Sequence, residues 1–224
     1  KKKADVYLFD DNLKINKKLI SLSKISKISF DVIIISPGID ISKCKLSMFL
    51  KKNSQKIYTD LDVLYSFYDN LSIAITGTNG KSTTAKILHD ALVDQKKDAR
   101  LIGNIGNPAL AEKKITKKTI FVIEASSYQL DYSKIFRSKY SLILNISADH
   151  IERHKNLKNY VNAKFKLIES QVKGNFAYVK KNDSLISKKI KKNKFKSKIY
   201  KVDISHLKNI INKISNKYFA SEGN

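Results

Sequence analysis

The stretch Ile75-Thr76-Gly77-Thr78-Asn79-Gly80-Lys81-Ser82-Thr83 constrains this chain more than any other. It closes a β-prone run, Leu71 to Thr76, and opens a segment to Val93 that carries Ala85, Leu88, Ala91 and Leu92 at helical spacing. A strand that feeds a glycine turn and then a helix leaves backbone N–H groups free at the helix start, where the macrodipole adds positive potential. That arrangement suits a phosphate. Lys81 supplies a mobile cation for β- and γ-phosphates, and Ser82 a hydroxyl for a magnesium ion. The full phosphate-loop pattern has one more glycine where Ile75 stands, so the match is to a shortened form, Gly-x-x-Gly-Lys-Ser. The plainer alternative is an ordinary strand–helix turn; the buried strand before it and the amphipathic helix after it favour phosphate.

Similar alternation runs along the whole chain. Strands are expected at Val6 to Phe9, Asp31 to Ser36, Lys56 to Tyr58, Thr119 to Glu124, Ser141 to Ile146, Phe176 to Val179 and Ile199 to Val202. The unbroken apolar character of Val32 to Ile35 predicts burial on both faces, and Pro37-Gly38 stops that strand. Helices are expected around Ser42 to Lys52 and over Asn156 to Val172. The pattern predicts α/β architecture with two doubly wound parallel-sheet domains: a small Rossmann-like unit over 1–69 and a phosphate-loop ATPase-like unit over 70–224.

The formal charge of +24 raises nucleic acid as a partner. Its lysines, however, are spread through nearly every segment, and arginine occurs only at Arg100, Arg137 and Arg153. Readers of phosphate and base edges lean on arginine's planar fork. The charge therefore reads as a solvated surface, and no specific nucleic-acid binding is expected. No apolar run approaches the roughly 20 residues that span a bilayer, and no secretory leader is recognisable, so membrane insertion is not expected. The lone Cys44 cannot form an internal disulfide, which suits a reducing cytoplasm; otherwise it reads as a plain small residue beside a helix.

Two strand ends carry polar groups that could serve the phosphate loop. Glu124 closes its strand where a magnesium ligand is needed, and Asp149-His150 follows the next strand. A single histidine is more often structural, but two such sites converging on one loop favour function. Lys164 falls on the apolar stripe Leu157, Tyr160/Val161, Lys164, Leu167/Ile168. Burial would lower its pKa and make it a nucleophile able to capture carbon dioxide as a carbamate. Spacing alone leaves this open against a lysine snorkelling at the edge of the stripe.

Taken together, several stretches resemble the Mur ligase family. They are Thr76 to Thr83, Gly103-Asn104-Ile105-Gly106, Glu124-Ala125-Ser126-Ser127-Tyr128-Gln129-Leu130, Asn145 to His154, and Tyr160-Val161-Asn162-Ala163-Lys164. The Gly-Asn-Ile-Gly and Ser-Ser-Tyr-Gln-Leu segments, with Ser36-Pro37-Gly38-Ile39, are most similar to the member that adds D-glutamate. Ile151 and Glu152 replace the family's usual Leu and Asp, which are conservative changes.

The resemblance implies an ATP-dependent, amide-forming ligase in the cytoplasm, working as a monomer on UDP-N-acetylmuramoyl-L-alanine and D-glutamate for peptidoglycan precursors. It implies that Gly77, Thr78, Asn79, Gly80, Lys81, Ser82 and Thr83 hold ATP. Ser82 and Glu124 would bind magnesium, and His150 with carbamylated Lys164 would serve a second ion, so that Lys81, His150 and Lys164 carry catalysis. Asn104 would sit by the muramoyl substrate, with Asp10, Asp11 and Gly38 near the uridine diphosphate. It also implies that an opening glycine-rich strand–loop and an amino-acid-binding third domain lie outside these 224 residues, which alone are not expected to complete the reaction. A folylpolyglutamate-synthase-like or sister ligase, and a non-catalytic nucleotide-binding module, are the alternatives; Ser36-Pro37-Gly38 argues against folate, and the full set of candidate ligands argues against the module.

Overall fold

The computed structural model describes residues 4–10 and 19–203. The first unit comprises α1 (Leu22–Ile25), β1 (Ile33–Ile34), α2 (Ser47–Lys52) and β2 (Ile57–Tyr58), and β1 pairs with β2 in parallel. Two expectations are corrected here. Val6 to Phe9 forms only one bridge, Leu8 to Leu19, and the apolar run at 32–35 is not buried on both faces. Ile35 joins Leu50 and Ile57 in a core, whereas Val32 and Ile34 are each 53% exposed. Side chains alternate along an extended chain, so an all-apolar run cannot say which of its faces something covers. The helix at 42–52 also starts late, because the Asp40 carboxylate captures the Ser42 N–H and hydroxyl at 2.8 and 2.6 Å and holds the preceding residues in turns.

A helix, α3 (Asp60–Phe67), leads into the central unit. Thr59 and Asp62 cap it reciprocally. Although a boundary at 69 assigns α3 to the first unit, its Leu61 and Leu64 pack into the central core with Ala74, Ile102 and Phe121. The Asp62 carboxylate does more than cap. It also accepts the N–H groups of Lys134, Ile135 and Phe136 at 3.0, 2.9 and 2.8 Å and the Ser133 hydroxyl at 2.8 Å. Asp62→Ala strands several buried donors at once and is expected to cost about 3 kcal/mol or more of stability. Asp62→Asn keeps one acceptor oxygen and should lose less. Urea unfolding midpoints within error of wild type for both variants would contradict this.

The central unit then runs β3 (Ser72–Thr76), α4 (Lys81–Asp94), β4 (Ala99–Gly103), β5 (Ile120–Glu124), α5 (Ser127–Tyr132) and β6 (Tyr140–Ile143). After these come α6 (Ile151–His154), α7 (Leu157–Glu169), β7 (Phe176–Lys180), α8 (Ser184–Lys192) and β8 (Lys198–Val202). All six strands are parallel, in the order β4-β5-β3-β6-β7-β8. β4 has no counterpart among the strands read from sequence.

α4 covers one face of this sheet, where Ala85, Leu88 and Leu92 meet Ile75, Val122 and Leu142. Ala91, expected on that face, is exposed. α7 covers the other face through Tyr160, Val161, Phe165 and Ile168, each worth roughly 1.5–3 kcal/mol of burial. Strand order reverses at β3, which lies between β5 and β6, so the crevice beyond the carboxyl end of β3 is the switch point where such sheets bind ligands. No helix among the described residues is long and apolar enough to cross a membrane.

Candidate functional site

Residues 77–80 leave the carboxyl end of β3 at that switch point. Gly80 begins α4 in the left-handed conformation, φ 80°, which glycine adopts without steric cost. No side chain caps α4 among the described residues, so its first N–H groups are left to an anion. The loop is braced from the segment after β6. Thr78 N–H donates to the Asn145 carbonyl at 2.9 Å. Asn79 N–H donates to Asn145 Oδ1, and Asn145 Nδ2 returns a bond to the Asn79 carbonyl, both at 2.9 Å. Thr78 Oγ1 lies 3.0 Å from the Ser147 N–H, 3.2 Å from the Ser147 carbonyl and 3.2 Å from the Tyr160 hydroxyl. A hydroxyl has one donor and two acceptor sites, and these three partners use them all. Asn145 and Tyr160 lie in stretches that carry the family resemblance, but sequence reasoning gave neither a role in the site. The available signal for Asn145 was a polar residue directly after the run Ser141 to Leu144, the same signal that flagged Glu124.

Within this frame Lys81 folds back, its Nζ donating to the Thr78 carbonyl at 2.9 Å, while Ser82 and Thr83 are exposed on the first turn of α4. Lys164 lies beneath the loop. It is 1% exposed, so it does not snorkel; Nζ donates to the Gly77 carbonyl at 2.7 Å and lies 4.4 Å from the centroid of the Tyr160 ring. Burial, and secondly the Lys81 cation, push its pKa down to about 7, against a smaller opposing pull from Asp149. Near neutrality a substantial fraction of this amine is therefore unprotonated and nucleophilic.

Glu124 ends β5 at 1% exposure. Its Oε1 accepts from Asn104 Nδ2 at 2.9 Å, whereas Oε2 is buried with no hydrogen-bond partner among the described residues. A buried carboxylate oxygen without a donor is costly and invites a cation. Asn104 reaches Glu124 because the chain doubles back at Gly103, φ 104°, where a Cβ would sit 2.4 Å from the Glu124 carbonyl oxygen. Only glycine fits there.

His150 takes the left-handed conformation, φ 51°, at the start of α6, which is uncommon for a residue with a side chain. Its ring, 45% exposed, lies 3.4 Å from Asp149 Oδ2 and 5.1 Å between centroids from Tyr128. His154 behind it is buried, with Nε2 3.0 Å from Ser127 Oγ, and burial holds its pKa below the usual histidine value.

Among the described residues no three His, Cys, Asp or Glu side chains gather in a metal-holding group. A cation here would depend on the Ser82 hydroxyl, on the orphaned oxygen of Glu124, and on any conversion of Lys164 into an anion. The buried orphan oxygen and the depressed amine both fit that requirement. Of the residues expected near a uridine diphosphate, Asp10 lines a hollow of about 300 Å³ in the first unit with Tyr7, Phe30 and Ile35. Gly38 has open space at its Cα, and Asp11 lies outside the described residues.

A family model described as the Mur ligase middle domain matches residues 75–223, from the last residues of β3 onward. The chain belongs to the Mur ligase family. UDP-N-acetylmuramoylalanine–D-glutamate ligase of Rickettsia felis is 36% identical to this Mur ligase chain over 187 residues, 79% of the chain and 41% of the relative. The enzyme of the same description from Caldicellulosiruptor bescii is 40% identical over 141 residues, 62% of the chain and 31% of that protein. The chain thus spans about two fifths or less of these curated relatives.

Solved Mur ligases share the fold. The UDP-N-acetylmuramate:L-alanyl-gamma-D-glutamyl-meso-diaminopimelate ligase of Neisseria meningitides superposes with TM-score 0.55 at 13% identity, covering 80% of this chain and 60% of that one. The MurF ligase of Thermotoga maritima, in complex with ADP, superposes with TM-score 0.50 at 15% identity, covering 80% and 49%.

Proposed function

We propose that this chain is part of an ATP-dependent ligase that joins D-glutamate to UDP-N-acetylmuramoyl-L-alanine through an acyl phosphate. The observation that carries the reading is Lys164: a lysine buried under the phosphate loop, bonded to the Gly77 carbonyl and held near a pKa of about 7. A structural lysine would be expected to reach solvent or to pair with a carboxylate.

On this reading Gly77 to Thr83 hold the phosphates of ATP through main-chain N–H groups, and Lys81 swings from the Thr78 carbonyl onto the β- and γ-phosphates. Ser82 and Glu124 would hold one magnesium ion; His150 and Lys164, once carbamylated, would hold a second. Bound magnesium supplies charge neutralisation for phosphoryl transfer. Asn104, fixed by Glu124, presents its remaining polar atoms to the muramoyl substrate, while Asp10, Asp11 and Gly38 take the uridine diphosphate end. The substrate carboxylate attacks the γ-phosphorus of ATP and ADP leaves. The amine of D-glutamate then attacks the acyl carbon, phosphate departs, and the nitrogen loses a proton. The protein's part is positioning and electrostatic support.

The test is phosphate release by the protein as its gene encodes it, with Mg-ATP, UDP-N-acetylmuramoyl-L-alanine and a panel of amino acids. Stimulation by D-glutamate alone is expected. Stimulation by a different amino acid would move the assignment to a sister ligase, and nucleotide binding without release would leave a binding module.

A further inference from the structure

Arg153 joins the two units through a guanidinium whose side chain is only 9% exposed. It belongs to α6 of the central unit, one turn beyond His150, and its own N–H donates to the His150 carbonyl at 3.1 Å. Its guanidinium reaches into the first unit. Nη2 donates to the Ile39 carbonyl, and Nη1 lies 3.5 Å from Asp40 Oδ2. Nη2 also lies 3.3 Å from the Tyr132 hydroxyl, and the guanidinium carbon stands 5.2 and 5.5 Å from the centroids of the Tyr128 and Tyr132 rings. Tyr132 itself packs against the first unit's core of Ile35, Leu50 and Ile57.

The other side of the contact is equally constrained. Ile39 N–H bonds to the Ser36 carbonyl at 3.0 Å, closing a turn around Pro37 and Gly38. The Asp40 carboxyl is held below the usual range, first by the Ser42 hydroxyl and more weakly by Arg153. A planar fork lying over two tyrosine rings of one helix, with a carbonyl and a carboxylate at its tips, is a geometry that lysine cannot reproduce.

We propose that Arg153 is a positioning residue that clamps the Ser36–Asp40 turn of the first unit to the helix presenting His150. A ligand held by that turn is thereby registered against the phosphate-loop site. The proposal rests on the functional reading above for the identity of that ligand, a UDP-linked sugar acid. It makes affinity for the sugar nucleotide, and not for ATP, depend on a residue outside the phosphate loop.

The test compares Arg153→Met, Arg153→Lys and Asp40→Ala in the protein as its gene encodes it, with two readouts. Calorimetry should show UDP-N-acetylmuramoyl-L-alanine binding about tenfold or more weaker in Arg153→Met, from loss of charge-assisted hydrogen bonds. ADP binding should change less than about twofold, and Arg153→Lys should fall between wild type and Arg153→Met. Asp40→Ala cuts the contact from the far side without touching α6, and should weaken the same ligand alone. Hydrogen exchange should speed up in peptides covering 36–44 and stay unchanged over 77–84. Equal weakening of both ligands, or unchanged exchange over 36–44, would overturn the clamp. A wild-type protein that binds ADP but not the sugar nucleotide would overturn the functional reading instead, and the exchange comparison would still decide the clamp.

Discussion

Lys164→Ala is expected to lower ligation by about a thousandfold or more, because the proposed carbamate supplies charge at the reacting phosphates. A short carboxylic acid added to the variant should restore part of the rate, whereas bicarbonate alone should not. Turnover at the wild-type level in Lys164→Ala would sink the role. The same residue gives a second, opposite readout. In the folded chain its pKa is about 7, against 10.5 for a solvent-exposed lysine. Between those limits the unfolded chain binds a proton that the folded chain does not, so this group's contribution to stability falls as pH drops from 10.5 to 7 and levels off below. Lys164→Met fills similar space without the charge and should therefore be more stable than wild type. The gain should be largest below pH 7 and fade toward pH 10.5, with about 5 kcal/mol as a ceiling set by that shift. Unfolding in urea at pH 6.5 and pH 9.5 checks this; a difference that does not change with pH would contradict it. Activity and stability pull this position in opposite directions.

Lys81→Ala should lower kcat/KM for ATP by about a hundred- to a thousandfold through loss of the cation at the phosphates. It carries a further consequence, because the Lys81 cation also depresses the Lys164 pKa. Removing it returns Lys164 toward the protonated form and lowers the fraction able to take up carbon dioxide. At fixed pH and bicarbonate, the carbamate signal from ¹³C-labelled bicarbonate should be weaker in Lys81→Ala than in wild type. Lys81→Arg keeps the cation and should retain that signal. ATP turnover unaltered in Lys81→Ala would refute the phosphate-loop assignment.

What could be read from sequence was local. The phosphate loop, α4 and α7 announce themselves within a few turns, because glycine placement and a 3.6-residue stripe are properties of contiguous residues. Lys164 was flagged by that stripe, but its partner, the Gly77 carbonyl, is 87 positions away and invisible to spacing. β4 escaped notice because Arg100 interrupts its apolar pattern on an edge strand, where it finds Asp98 at 2.8 Å. The run at 32–35 misled in the other direction: hydrophobicity says that burial is favourable, not that a neighbour exists on each side. Ala91 lies about 100° around the helix from Leu92 and about 120° from Ala85, so it faces outward when those two meet the sheet. Arg153 stands out in sequence as one of three arginines and lies in a stretch that carries the family resemblance, but only the fold shows that it spans two units.

The placement of β3 has a consequence for how this protein is made. It is the first strand of the central sheet to leave the ribosome, yet both its neighbours, β5 and β6, come later in the chain. Nascent chain ending before Tyr140 contains every residue from Gly77 to Thr83 but neither β6 nor the Asn145 amide that pairs with Asn79 across 66 positions. Non-local pairing of this kind is slow and leaves apolar edges open while it waits. Until β6 docks, the phosphate-loop residues are an unbraced turn, so the nucleotide grip forms only after the chain as far as Asn145 has been made.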